Sequence, residues 1–136
     1  MPSTYEPIVT TTLSSTSSSV TFTSIPQTYT DLVVVLHGNA SGDIRIRHNL
    51  SISDQFYYPT IGGLNNGLTI LNYLNYSNTT TWKSVHINVK NAGYPRVGYY
   101  LAVWGSTSAI DTIEFSVPSG SINSGTSFTL YGIKAA

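Results

Sequence analysis

The sequence predicts an all-β chain folded as a single domain, an antiparallel β-sandwich of jelly-roll type. Three observations predict it. Short apolar stretches recur at a spacing of about ten residues, the rhythm of sandwiches and barrels. No long stretch holds a convincing helical period. Ser and Thr together number 37 of the 136 residues, which favours strands and turns over helix interiors.

Each element has its own justification. Tyr5 to Leu13 is extended and rich in β-branched residues, an N-terminal strand or arm. From Ser19 to Ile25, Val20 and Phe22 alternate with Thr21 and Thr23. Leu32 to His37 is a continuous apolar run and reads as a central strand buried on both faces. From Ile44 to His48 both Ile point inward while Arg45 and Arg47 point outward. Leu64 to Tyr76 comes nearest to a helix, but Asn65-Asn66-Gly67 interrupts it and Asn72 and Asn75 are poor helix formers. A strand with flanking loops is expected there.

Thr81 to Lys90 sets Trp82, Ser84, His86 and Asn88 on one face and Lys83, Val85, Ile87 and Val89 on the other. Val97 to Trp104 is aromatic and aliphatic. Ile113, Phe115 and Val117 alternate with Thr112, Glu114 and Ser116. Ser127 to Lys134 closes the chain, Phe128 and Leu130 opposing Thr129, Tyr131 and Ile133. The breaks carry turn chemistry, as in Ser41-Gly42-Asp43, Asn91-Ala92-Gly93 and Pro118-Ser119-Gly120. The polar link Ser14 to Ser19 is too short to separate domains, so residues 1–136 form one unit of eight to ten strands.

Composition excludes several functions. Charged residues are 9% of the chain, against about 25% in an ordinary domain, and net charge is zero. No surplus of cations exists to displace counterions from nucleic acid or to hold an anionic membrane. The 12% aromatic content argues against disorder. With no cysteine there is no disulfide, thiolate metal site or thiol nucleophile. The longest apolar run, Leu32 to Leu36, is far too short to span a bilayer, and the first residues lack the pattern of an export signal.

Little in the chain carries catalytic chemistry. His37, His48 and His86 stand at no metal-ligand spacing, so structural or surface roles are expected and no metal or other cofactor is called for. No G-x-S-x-G elbow presents a serine nucleophile. The six acids, Glu6, Asp31, Asp43, Asp54, Asp111 and Glu114, fall at turns or outward strand positions, where solvation suffices. Gly62 to Gly67 is glycine-rich but lacks the Lys-Ser/Thr of a phosphate loop. Four Asn-x-Ser/Thr triplets are expected by chance in so hydroxyl-rich a chain. Arg45, Arg47 and His48 read as a small basic stripe, suited either to a carboxylate on a neighbouring chain or simply to water. Ten Tyr and two Trp suit subunit interfaces, the core or a glycan-stacking site.

Several segments carry a resemblance. They are Met1 to Ile8 with Thr10 to Leu13, Val20 to Leu32, Asn75 to Lys83, Ser106 to Ile110, and the ending Ser127 to Ala136. Together they resemble small virion structural proteins of tailed bacteriophages, especially those infecting cyanobacteria and other aquatic bacteria. The similarity spans most of the chain, is strongest at its two ends and weakest from Gly38 to Asn72. The resemblance implies a non-enzymatic virion component. The favoured expectation is a head decoration, or cement, protein. Such a protein is made in the host cytoplasm, sits on the outer capsid as a homotrimer, binds the major capsid protein and ties capsomers together. A tail-fibre or receptor-binding module for host glycans is the alternative, and a β-sandwich glycosidase the third reading. Interfaces are expected at Tyr5, Glu6, Arg45, Arg47, Tyr57, Tyr58, Tyr94, Arg96 and Trp104.

Overall fold

Alternation of apolar and polar side chains becomes ten antiparallel strands in the computed structural model, which describes residues 4–51, 56–57, 64–91 and 96–134. The strands are β1 (Tyr5–Thr12), β2 (Ser19–Phe22), β3 (Asp31–Gly38), β4 (Arg45–His48), β5 (Phe56–Tyr57), β6 (Gly67–Tyr73), β7 (Lys83–Asn91), β8 (Arg96–Trp104), β9 (Ile113–Ser116) and β10 (Ser127–Ile133). No helix occurs among the described residues. One sheet has seven strands in the order β1-β10-β3-β6-β7-β8-β5, the other three in the order β2-β9-β4.

The chain is all-β, with two antiparallel sheets consistent with a sandwich. It passes between the sheets at each of its first four strands and again at β9 and β10. The division into seven and three strands, with β6, β7 and β8 as a consecutive meander, differs from the four-and-four arrangement of the expected jelly roll.

The core lies between the sheets. From the larger sheet come Leu32, Val34 and Leu36 of β3, Phe128 and Leu130 of β10, Leu71 and Tyr73 of β6, and Val85 and Ile87 of β7. From the smaller come Val20, Phe22, Ile46, Ile113 and Phe115. Phe115 joins the layers, its ring centroid 5.3 Å from that of Phe128 and 6.4 Å from that of Phe22. Fully burying side chains of this size is worth roughly 1.5–3 kcal/mol each, so this interlayer seam dominates the stability. Gly132 is required by a close approach: a Cβ there would sit 2.4 Å from the Tyr29 ring that packs over it.

Two expected strands take their places as read, and the central one changes in detail. The N-terminal segment is an edge strand, paired along β10 from Tyr5↔Ile133 to Thr12↔Ser127, with a bulge between Pro7 and Val9. Proline and a bulge are tolerated here because an edge strand need not complete two ladders. On β3 the inner side chains are fully buried, but on the outer side Val35 is only half-buried and His37 is exposed. The segment around Leu64 becomes β6 alone, and Asn66 turns the chain into it with φ of 45°.

Candidate functional site

The outer face of the seven-stranded sheet carries the most unusual surface. A solvated sheet face ordinarily presents polar side chains. Here register sets three rows across β3, β6, β7 and β8. They are His37–Leu68–Lys90–Val97, Val35–Ile70–Asn88–Tyr99 and Val33–Asn72–His86–Leu101. The rows hold no carboxylate, and Lys90 is their one lysine or arginine. At the β8 end Val97 is 88% exposed, Tyr99 61% and Leu101 56%. Trp82, just before β7, is 63% exposed. Tyr99 is held by a hydrogen bond between its hydroxyl and His86 Nδ1, the two rings meeting edge-on at 5.8 Å.

Behind this face, two polar groups are buried where strands β4 and β7 point inward. His48 continues the inward alternation of Ile46 and is fully buried, with Nε2 3.1 Å from the Tyr73 hydroxyl and its ring 5.4 Å from Trp104. It therefore does not belong to a basic stripe. Burial lowers its pKa to about 3. Lys83 is buried too, its ammonium donating to the carbonyls of Thr107 at 2.8 Å, Thr81 at 3.1 Å and Ser106 at 3.4 Å. Its Nζ also lies 5.5 Å from the Trp104 ring centroid, within cation–π range. Desolvation lowers the Lys83 pKa from its ordinary value.

A pH dependence follows from His48. Its folded pKa, about 3, lies below the unfolded value near 6.5. Between those values only the unfolded chain takes up the proton, so stability falls as pH drops through that window, by up to about 1.4 kcal/mol per unit. Urea unfolding between pH 7 and pH 4 is expected to show a shallower loss for His48→Gln than for the wild-type chain. Parallel curves would show that His48 is not the titrating group.

Of the nine expected interface residues, those whose side chains are described do not converge on one surface. Tyr5 is exposed on β1, its ring edge-on to Tyr131 at 6.5 Å. Glu6 is engaged within the chain by Lys134 Nζ at 2.9 Å and the Tyr29 hydroxyl at 3.1 Å, and the Lys134 hydrogen bond leads in lowering its pKa. Arg45 and Arg47 lie together on the outer face of the three-stranded sheet. Arg47 is occupied, Nε donating to Glu114 Oε1 at 3.1 Å and Nη2 at 2.5 Å. Glu114 is thus buried and paired rather than solvated. Tyr57 lies in β5 opposite Val103, and Arg96 opens β8 opposite Asn91. Tyr58 and Tyr94 fall outside the described residues.

Trp104 must be corrected. It is 1% exposed, packed against His48 and Lys83 in the core, because even-numbered residues of β8 face inward. The odd-numbered ones, Val97, Tyr99 and Leu101, make the surface instead. The signal for them was an apolar run in which both parities are hydrophobic, although only one can be buried beneath the small sheet.

No group of three or more His, Asp or Glu side chains suited to a metal occurs among the described residues. No family model, curated protein or solved structure matches the chain.

Proposed function

We propose that the chain is a non-enzymatic virion structural protein of a tailed phage. It acts as a head decoration protein that binds the major capsid protein on the outer capsid and bridges capsomers, with three copies per unit. The observation that supports this reading most is the apolar outer face at β8, with Val97, Tyr99 and Leu101 more than half exposed. Contiguous exposed apolar surface of this kind marks a docking site. Tyr and Trp suit such a site because they bury large area at low entropic cost. The absence of carboxylates from the three rows favours a neutral, area-driven contact over charge steering.

A protein that binds only the assembled shell stabilises it by mass action. Many copies turn weak contacts into a strong clamp. Particles assembled without the protein are expected to remain infectious but to release their genome at lower temperature and under milder osmotic shock. Unchanged particle stability, with loss of adsorption to host cells, would instead place the protein at the tail tip as a glycan-binding module.

A further inference from the structure

On the opposite side of the sandwich, the structure assigns a binding groove for a hydroxylated monocarboxylate, the chemistry of an acidic sugar unit. The outer face of the three-stranded sheet carries two in-register rows, Ser19–Ser116–Arg45 and Thr21–Glu114–Arg47. All of these but Thr21 line an open groove of about 470 Å³ that also takes in Ser18, Val117 and Pro118. A second depression of about 370 Å³ adjoins it, sharing Arg45 and Pro118 and adding Asp43.

The two arginines are not equivalent. Arg47 is held by Glu114, whereas Arg45 is exposed and has no carboxylate partner among the described residues. Its planar fork is therefore available to donate two parallel hydrogen bonds to a carboxylate. The hydroxyls of Ser18, Ser19 and Ser116 line the same groove and both donate and accept, which matches ligand hydroxyls beside that carboxylate. Pro118 offers a small apolar wall for the C–H side of a sugar ring.

Charge selects the ligand further. Arg45, Arg47 and Glu114 sum to one net positive charge in the groove, and Asp43 lines the adjoining depression. One negative charge is balanced there. A phosphate dianion would bring its second charge against Glu114, and like charges at such separations repel. The sugar unit next to the bound one must then be neutral where it meets Asp43. This inference does not rest on the proposed role at the capsid, and it is tested on the free protein.

The test is an NMR titration of the full chain with galacturonosyl-galactose, one carboxylate beside a neutral sugar, with neutral digalactose and inorganic phosphate as comparators. Galacturonosyl-galactose is expected to shift the amide signals of Arg45, Ser19 and Ser116 saturably. Digalactose and phosphate are expected to bind at least ten times more weakly. Arg45→Ala is expected to weaken galacturonosyl-galactose binding at least tenfold. Arg45→Lys, which keeps the charge and loses the fork, should fall between Arg45→Ala and wild type. Absence of saturable shifts in the wild-type chain, equal binding of phosphate, or unchanged binding by Arg45→Ala would overturn the assignment.

Discussion

Lys83→Ala is expected to lower the unfolding free energy by about 3–5 kcal/mol, in the range for large-to-small replacement at a buried site. Two losses combine. The four-carbon stem disappears from beside Trp104 and leaves a cavity. The carbonyls of Thr81, Ser106 and Thr107 lose the ammonium that joins them. Each buried carbonyl left without a donor costs roughly 1–3 kcal/mol, less whatever water restores. Those carbonyls belong to the segments just before β7 and just after β8, so the lysine ties the two ends of this hairpin together.

Lys83→Met separates the losses. It keeps most of the stem and removes the charge, so a decrease of about 1–3 kcal/mol is expected from the hydrogen bonds alone. Urea unfolding with a common slope measures both variants. A loss below about 0.5 kcal/mol for Lys83→Ala, the range of an ordinary surface change, would mean that the cage is unimportant.

The second large effect concerns adhesion. The double variant Tyr99→Asp with Leu101→Asp is expected to reduce binding to particles assembled without this chain at least 100-fold while changing stability by less than about 1 kcal/mol. Both side chains are mostly exposed, so the fold loses little when they change. At an interface each would bring a desolvated charge without a partner, which costs several kcal/mol. Loss of a central aromatic anchor alone reaches 2 kcal/mol or more. Arg47→Ala, on the other sheet, is the control expected to leave particle binding unchanged. Co-sedimentation of purified protein with particles reads the difference. Undiminished binding by the aspartate variant would remove the β8 face from the contact.

Much of the fold was legible because period-two alternation is strong in this chain. Ile44 to His48 and Ile113 to Val117 carry clean inward and outward parities, and β4 and β9 follow them. The same alternation placed Lys83 on the face of Val85 and Ile87. It could not reveal that the carbonyls of Ser106 and Thr107, beyond the far end of β8, would join that of Thr81 around the ammonium there. His48 was misread because its ring was grouped with Arg45 and Arg47 by chemistry, although its parity matched Ile46. Trp104 failed for a related reason: tyrosine and tryptophan suit cores and interfaces equally, and only the pairing Lys83↔Trp104 decides which way the ring points.

The surface at β8 was illegible for a topological reason. A strand such as Val97 to Trp104, apolar on both parities, reads like a strand covered on both sides. In a two-layer sandwich the opposing sheet covers only the inner face, and Val97, Tyr99 and Leu101 lie on the outer one, where no third layer packs among the described residues. The pairing of Arg47 with Glu114, which frees Arg45 alone for a ligand, likewise depends on β4 lying beside β9 across a sequence separation of 67 residues.

Single-particle imaging of intact virions, fine enough to orient the chain, bears most directly on the proposal that the β8 face adheres to the shell. The expected image shows the protein on the outside of the head, with Val97, Tyr99 and Leu101 against capsid protein and the Arg45 side turned to solvent. Density at the tail tip, or on the head with those three side chains facing water, contradicts it.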